Sequence, residues 1–170
     1  GVPTTNANTM LIGGGYGSAP LFALAELLKN RGCRVDMVLG ASTANKIYAP
    51  LEGKRSVSSL TLTTDDGSAG IHGQISEAIP RLIREYKTEV IYSCGPMGML
   101  SAIAKIAEEF DISHQCSVEE AMACGIGVCM TCVVPIKHED GIKMVRTCID
   151  GPVMDGSEII WDRKSVMDAL

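Results

Sequence analysis

Four cysteines lie in one C-terminal stretch, and their spacing constrains what that part of the chain can fold into. Cys124, Cys129 and Cys132 follow the pattern C-x4-C-x2-C, and Cys148 comes after fifteen further residues. This is the spacing of the plant-type [2Fe–2S] ligand loop. Two glycines between the first two cysteines favour it, because glycine lets backbone N–H groups approach cluster sulfides closely. The pattern predicts a loop folded around a [2Fe–2S] cluster, with these four thiolates as its ligands.

Zinc is the main alternative for such a set of thiolates. Four thiolates also bind structural zinc, and the C-x2-C of Cys129 and Cys132 would suit it. Zinc ribbons usually pair two such knuckles, whereas this chain has one knuckle and a cysteine five residues before it. The spacing therefore favours an iron–sulfur cluster over zinc, and either metal centre over inert buried cysteines.

The composition narrows the class of protein. The 170 residues carry a net charge of −5 and contain no basic run, so nucleic acid is not an expected partner. No apolar stretch approaches the roughly eighteen residues of a membrane span, and no secretion signal is recognisable. The seven cysteines are odd in number and unevenly spread, which argues for reduced thiols or a metal rather than a disulfide framework. We expect a cytoplasmic protein that does not act at a membrane.

Up to about residue 118, segments of strand and helix character alternate along the chain. The predicted strands are Thr9–Ile12, Cys33–Leu39, Leu60–Thr64, Glu89–Ser93 and Ser113–Val118. The predicted helices begin at Leu21, Ile75 and Met97, and Pro80 is expected to kink or split the second of them. Strands separated by helices predict βαβ units, and therefore an α/β fold with a doubly wound parallel sheet.

The remainder of the chain has a different texture, with loops rich in glycine and cysteine. A hairpin is predicted where VVPI and IKMVRTC flank the turn segment KHEDG. Turn signals follow at Gly151-Pro152 and Asp155-Gly156. This segment is therefore expected to form a small β-rich module after the sheet.

A glycine-rich loop, GGGYGSAP over residues 13–20, follows the first predicted strand and opens a helix. At such a place, backbone N–H groups and the helix dipole can hold a pyrophosphate. The loop lacks the third glycine of the G-x-G-x-x-G fingerprint, and Pro20 instead suits the first helical turn, where its missing N–H is not needed. The alternative is a tight turn without a ligand, but the run of glycines favours a phosphate site.

Two further strand ends carry candidate site residues, since ligands of open α/β sheets bind at the carboxyl ends of the strands. Cys94, in Ser93-Cys94-Gly95-Pro96-Met97, is placed to touch a nicotinamide ring, and is equally well explained as a small core residue. Asp65 and Asp66 follow another strand. They can bind ribose hydroxyls or simply form an Asx turn.

Four motifs in this order make the chain resemble a known family. GGGxGxAP, TDDGSxGxxG, SCGPMGM and the cysteine module closely resemble the iron–sulfur electron-transfer subunits of NAD-dependent (B-type) dihydroorotate dehydrogenases, in the ferredoxin-reductase superfamily. The resemblance covers nearly all of residues 9–162, and the cysteine module joined to SCGPMGM is its most specific part. It implies a linker remnant at 1–8, a ferredoxin-reductase-type NAD-binding domain at 9–115, a [2Fe–2S] module at 116–162 and a C-terminal tail at 163–170.

The resemblance also implies roles for individual residues. Facing the NAD pyrophosphate would be Gly14, Gly15, Gly17 and Pro20. Beside the nicotinamide and the flavin edge would be Cys94, as the catalytic residue, together with Gly95 and Pro96. Beside the nucleotide would be Asp65 and Asp66. Glu119 and Glu120 match the segment that leads into the cluster, although a solvated turn explains them at least as well.

Family members begin with a flavin-binding β-barrel, and nothing upstream of Thr9 resembles it. We therefore expect the chain to be a fragment that is inactive alone, with FAD held by a domain that it lacks. NADH delivers two electrons together and an iron–sulfur cluster accepts one, so a flavin must stand between them. The implied path runs from NADH through FAD and the cluster to a flavin-containing subunit that interconverts dihydroorotate and orotate in pyrimidine biosynthesis, or in reverse, within a hetero-oligomer.

Other interpretations are open. A reductase subunit of a hydrogenase, sulfide dehydrogenase or transhydrogenase would share the sheet and often the cysteine module. A zinc-stabilised nucleotide-binding regulator would share them without a redox role. A structural scaffold with inert cysteines is disfavoured by the density of motifs.

Two finer expectations concern the nucleotide and the partner. Residues 40–46 contain no arginine for a 2′-phosphate and the two aspartates add negative charge, which favours NADH over NADPH, although Lys46 could also hold a phosphate. The loop 121–132 and the hairpin tip at 137–143 are expected to form a docking face with an apolar centre and a polar edge. Alternatively, its apolar side chains serve only to shield the cluster from water.

Overall fold

A seven-stranded sheet organises residues 6–162, which are the part of the chain that this computed structural model describes. The strands are β1 (Asn8–Gly14), β2 (Arg34–Ala41), β3 (Ser59–Thr64), β4 (Ile71–His72), β5 (Val90–Cys94), β6 (Ser113–Ser117), β7 (Val133–His138), β8 (Gly141–Arg146) and β9 (Val153–Asp155). The helices are α1 (Ala19–Asn30), α2 (Pro50–Ser56), α3 (Ile75–Tyr86), α4 (Met97–Glu109) and the single-turn α5 (Thr147–Asp150).

The sheet has the order β4-β3-β2-β1-β5-β6-β9, and only its last strand runs against the others. β1 pairs in parallel with both β2 and β5. The predicted α/β fold with a mostly parallel sheet is confirmed. The short strands β4 and β9 and the helices α2 and α5 were not predicted.

Apolar side chains fill both faces of the central strands, as parallel strands covered on both sides require. Met10 and Ile12 of β1 point to one face, where α3 and α4 pack against them. Leu11 points to the other face, into a cluster with Leu21 and Leu28 of α1. The helices therefore cover the sheet on both sides.

Pro80 lies inside α3 without splitting it, so the prediction of a split was wrong. A proline removes one main-chain bond, here to the carbonyl of residue 76 in the first turn. The apolar face of α3, which includes Ile79 and Leu82, is buried against the sheet and keeps the helix together.

The predicted hairpin is confirmed as β7 and β8, which pair in antiparallel register. Val134 of β7 packs with Leu100 of α4 and Cys116 of β6 in a third apolar cluster. On the other edge of β7, Lys137 N donates to Glu158 O at 2.7 Å and Ile160 N donates to Pro135 O at 2.9 Å. The hairpin is thus held against the sheet by apolar packing and by the chain that follows β9.

His114, near the start of β6, contacts the neighbouring strand β5. Its Nε2 lies 2.7 Å from the hydroxyl of Ser93 on β5, and the ring is 3% exposed. Burial lowers the pKa of His114 to about 4, so the imidazole is neutral at physiological pH. A neutral ring can share one proton with the hydroxyl, and the pair therefore ties β5 to β6 without a buried charge.

Parts of the predicted linker and tail lie outside the described residues. These are residues 1–5 of the linker remnant and the whole of the tail at 163–170. Within residues 6–162, no helix has both the length and the apolar character needed to cross a membrane.

Candidate nucleotide and metal sites

The order of strands reverses between β1 and β5, and this is the topological switch point of the sheet. From β1 the chain moves to β2 and β3 on one side, and then returns to β5 and β6 on the other. At the carboxyl ends of these two strands, Gly13 lies opposite Cys94. A crevice at such a point is where open α/β sheets bind ligands.

The loops after β1 and β5 pack backbone against backbone. A Cβ atom placed on Gly17 would lie 2.8 Å from the Cα of Gly95, and one placed on Gly95 would lie 3.0 Å from the amide nitrogen of Gly14. Gly95 also has a φ of +156°, which residues with a side chain rarely adopt. Glycine at these positions is therefore required by the close approach of the two loops.

A cavity of about 840 Å³ opens at this point. Its walls include the glycine loop, the end of β2 at Gly40–Ser42 and the first residues of α3 and α4. Ligand-binding pockets in proteins have volumes of about 300–1,000 Å³. The cavity is thus of a size and position suited to a nucleotide.

The predicted nucleotide residues divide into two groups. Those that line the cavity are Gly14, Gly15, Gly17, Asp65 and Pro96. Those that are not among its lining residues are Pro20, Asp66, Cys94 and Gly95. Pro20 lies exposed in the first turn of α1, as its place in the sequence indicates.

Asp66 forms an Asx turn. One carboxylate oxygen accepts hydrogen bonds from the backbone N–H of Ser68 at 3.0 Å and from its hydroxyl at 2.6 Å. These bonds lower the pKa of Asp66. The Ser68 hydroxyl in turn accepts from the N–H of Ala44 at 2.8 Å, so this turn fastens the loop after β3 to the loop after β2.

Cys94 is half-buried and packs towards the apolar cluster on the α1 side. Burial raises the pKa of its thiol, an effect that a hydrogen bond with Ser117 opposes. A protonated thiol is a poor nucleophile. The raised pKa of its thiol does not favour covalent chemistry, Cys94 is not a lining residue of the cavity, and its catalytic role stays a prediction.

Several residues that line the cavity were not predicted from the sequence, among them Tyr16, Gln74, Ser76, Met99 and Ala102. Glu119 also lines it, although the sequence had placed this residue in the segment that leads into the cluster. A signal was available for Gln74 and Ser76. They flank the start of a helix that follows a strand, and in a parallel sheet such helices begin at the same edge as the glycine loop.

The first predicted metal ligand, Cys124, is surrounded by backbone N–H groups. Its sulfur accepts from Ile126 N at 3.5 Å and from Val128 N at 3.3 Å. Gly125 and Gly127 have φ angles of +67° and +76°, which allow the loop to curl around the sulfur. The local sequence therefore builds a loop whose amides point at a sulfur.

Cys129 lies beside Cys124 and is exposed. The hydroxyl of Thr131 donates to its sulfur at 3.0 Å. Hydrogen bonds from Thr131, and to a smaller extent from Cys124, lower the pKa of Cys129 to about 6. A thiol with such a pKa is largely thiolate at neutral pH, which is the form that binds metals.

The other two cysteines form a second pair. Hydrogen bonds from the backbone and thiol of Cys148 lower the pKa of Cys132, and the same partnership raises the pKa of Cys148. The charge of Cys124, a member of the other pair, also raises the pKa of Cys148. No three His, Cys, Asp or Glu side chains between residues 6 and 162 converge as ligands of one metal ion. The cysteines thus stand as two adjacent pairs.

Arg146 braces the cysteine loop, although it was not predicted to do so. Its guanidinium donates to the carbonyl of Gly127 at 2.9 Å and lies 3.9 Å from a carboxylate oxygen of Asp150. The side chain of Ile149 packs against Gly127. The charged residues on either side of Cys148 were the available signal in the sequence.

Apolar side chains surround the exposed end of this loop. Ile126 and Val128 are 71% and 75% exposed, and Met122 and Met130 are more than half exposed. Ile142 and Met144 of β8 and Ile149 of α5 are also exposed. Exposed apolar side chains that form a patch often mark a contact surface.

The comparisons with known proteins agree with the motifs. Residues 119–160 match the family model described as the iron–sulfur cluster binding domain of dihydroorotate dehydrogenase B. The chain is 34% identical to the "dihydroorotate dehydrogenase B (NAD(+)), electron transfer subunit" of Desulforamulus reducens, over 95% of this chain and 62% of that protein. It is 39% identical to the subunit of that name from Streptococcus mutans, over 90% of this chain and 58% of that protein. The predicted resemblance is confirmed, and the chain spans about 60% of the length of these relatives.

Solved structures give the same result for the fold. An NADH-dependent reduced ferredoxin–NADP oxidoreductase, studied for flavin-based electron bifurcation, matches with a TM-score of 0.79 at 34% identity, over 93% of this chain and 56% of that one. The C-terminal domain of a hydrogenase from Pyrococcus furiosus matches with a TM-score of 0.57 at 12% identity, over 69% and 96% of the two chains. At that identity the second match supports the fold alone.

Proposed function

The chain is a relative of the electron transfer subunits of NAD-dependent dihydroorotate dehydrogenase B, and we propose that it performs their task. It binds NAD(H) at the switch point, holds a [2Fe–2S] cluster on its cysteine loop, and passes electrons to or from a flavin-containing catalytic subunit in a hetero-oligomer. The observation that carries the proposal is that the family match covers all four cysteines, which the structure arranges as two pairs.

The donor set fits an iron–sulfur group. Two adjacent thiol pairs, Cys124 with Cys129 and Cys132 with Cys148, would together supply the four thiolates that hold such a cluster. Backbone amides and the Thr131 hydroxyl lie ready as donors to sulfur. The spacing of the cysteines, the backbone donors to the Cys124 sulfur and the family match therefore support [2Fe–2S] over the zinc-stabilised regulator.

The cofactors divide the chemistry between them. When bound, a [2Fe–2S] cluster exchanges one electron at a time, and a flavin exchanges either one or two. The residues of this chain bind and orient: Gly14, Gly15 and Gly17 offer close backbone approach to a pyrophosphate, and Pro96 borders the same cavity. We propose that FAD is held by a part of the protein outside residues 6–162.

A reductase assay tests this division. Produced alone, residues 1–170 should bind NADH but show almost no NADH–dye reductase activity, because none of the groups assigned to them divides a hydride into single electrons. Fusion to the flavin domain of a relative should restore turnover by at least about tenfold. Strong activity of residues 1–170 without added flavin would contradict the division.

The preference for NADH over NADPH stays part of the proposal. Asp65 lines the cavity and disfavours a 2′-phosphate, whereas Lys46 lines it too and would attract one. We expect NADH to bind more tightly and Asp65→Asn to narrow the difference. Titration calorimetry with both nucleotides measures this, with Glu52→Gln, an exposed carboxylate outside the cavity, as the control. Equal or tighter binding of NADPH by the unaltered chain would refute the preference.

The exposed apolar side chains are proposed as the centre of the docking face. The double substitution Ile126→Ser and Val128→Ser should weaken association with the catalytic subunit by about tenfold or more. Docking would bury both apolar side chains, and serine removes the free energy gained from that burial. Charge reversal at Lys137 and Lys143, at the edge of the face, should have a smaller effect. Analytical ultracentrifugation measures association, and the visible spectrum should stay unchanged in every variant. Unaltered association of the apolar double variant would leave those side chains with the shielding role alone.

A second candidate function has one observation in its favour. The NADH-dependent ferredoxin–NADP oxidoreductase is as similar in sequence to this chain as the dihydroorotate relative from Desulforamulus reducens, at 34% identity for both. A reductase subunit of such a complex would keep both sites and change the partner. Co-purification distinguishes the two, since the first partner confers reduction of NAD by dihydroorotate and the second does not.

The proposed location is the cytoplasm. All seven cysteines are free thiols in the structure, which suits a reducing compartment. Pyridine nucleotides and pyrimidine precursors are also expected there.

A further inference from the structure

A threonine hydroxyl is part of the immediate surroundings of the cysteine loop. Thr131 stands between Cys129 and Cys132, and its Oγ1 donates to the sulfur of Cys129 at 3.0 Å. The donors to Cys124 are backbone amides, which any residue except proline would supply at those positions. At Cys129 the donor is a side chain, so the choice of residue at position 131 decides whether the bond exists.

A second threonine borders the other thiol pair. Thr147 is 1% exposed, and its hydroxyl faces the thiol of Cys132 without forming a hydrogen bond of normal geometry to any group among residues 6–162. It directly precedes Cys148, and its amide donates to the carbonyl of Cys132 at 3.0 Å. A buried hydroxyl without an acceptor is unfavourable, and the acceptors that a cluster would bring to this place are sulfurs.

A hydrogen bond to sulfur acts differently on the two redox states of a cluster. An added electron places more negative charge on the sulfur atoms, and a donor then binds them more strongly. Hydrogen bonds to the sulfurs are one of the factors that set the reduction potential. Hydroxyl donors at these positions would therefore stabilise the reduced state.

We propose that Thr131 and Thr147 are positioning residues that raise the reduction potential of the cluster, one hydroxyl acting on each thiol pair. This rests on the proposed cluster site. Beyond that site, two side chains that are not ligands would set part of the reduction potential of the cluster. Valine at either position has nearly the shape of threonine but no donor, and serine keeps the donor.

The test is a redox titration of the purified, cluster-loaded protein, followed by visible absorption. In Thr131→Val and in Thr147→Val, the midpoint should move to more negative potential, and the ratio of reduced to oxidised protein at a fixed potential should fall about threefold to tenfold. Thr131→Ser and Thr147→Ser should stay close to the unaltered protein. Thr61→Val, a strand residue of β3 in the main sheet, controls for the substitution itself.

Iron and sulfide content is measured first, and it separates two failures. If the unaltered protein holds no cluster, the proposed function fails and this inference fails with it. If Thr131→Val holds the normal cluster with an unshifted midpoint, the inference about Thr131 is wrong while the function stands. Should the valine variant not load, Thr131→Ala takes its place, and an unshifted midpoint in that variant counts equally against the inference.

Discussion

Serine in place of any one of Cys124, Cys129, Cys132 or Cys148 is expected to remove most of the visible absorption of the anaerobically purified protein. Each thiolate supplies one of the four terminal ligands of the proposed cluster. A serine hydroxyl is a harder ligand than a thiolate and ionises far less readily than a cysteine thiol, whereas iron–sulfur clusters select soft thiolates. Absorption spectra and iron content of the four variants measure the effect.

The other cysteines provide matched controls. Cys33 and Cys116 are 6% and 0% exposed and lie in the apolar clusters of the sheet. Cys33→Ser and Cys116→Ser should keep the full spectrum, and circular dichroism checks that all six variants fold. A full spectrum in any of the four ligand variants, or a bleached control that is folded, would contradict the assignment.

Alanine at Gly17 should weaken NADH binding by about tenfold or more and lower the melting temperature by several degrees. The new Cβ would lie 2.8 Å from the Cα of Gly95, and neither loop can yield without separating the two sides of the crevice. Overpacking of this kind costs about 1–3 kcal/mol, and about 1.4 kcal/mol is a factor of ten in affinity. Calorimetric titration with NADH and thermal unfolding measure the two effects.

The matched control is Gly53→Ala in α2. A Cβ there would meet its nearest neighbour, a methyl of Leu60, at 3.5 Å, an ordinary contact away from the cavity. Because alanine favours helix over glycine, this variant should be as stable as the unaltered chain or slightly more so. Normal NADH binding by Gly17→Ala would show that the glycine loop does not shape the nucleotide site.

Sequence periodicity located the central strands because they carry their own signal. β1, β2 and β5 are short apolar runs that end at glycines or turns, and such runs are the pattern of a strand buried on both faces. The strands β3 and β6 and the hairpin of β7 and β8 were found for similar reasons. Fold class and the place of the crevice follow from these elements.

The missed elements depend on contacts that are distant in sequence. β9 has three residues, and its pairing with β6 joins segments that lie 36 to 40 positions apart. Its residues show no alternation of apolar and polar side chains from which a strand could be predicted. β4 has two residues and exists only because β3 offers it a free edge.

The candidate sites show the same division between local and distant signals. The spacing of the cysteines identified the loop, but their arrangement in two pairs depends on β8 returning Cys148 to Cys132. The assignment of Asp66 to the nucleotide could not be weighed against an Asx turn until the contacts of Ser68 were known. Thr131 was present in the motif, but only its hydrogen bond to Cys129 gave it a role.

The most direct test of the account is the metal and sulfide content of the anaerobically purified protein. A [2Fe–2S] cluster on the four cysteines predicts about two irons and two acid-labile sulfides per chain, with a brown colour. Stoichiometric zinc without sulfide would contradict the central claim and favour a zinc-stabilised nucleotide-binding protein with no redox role.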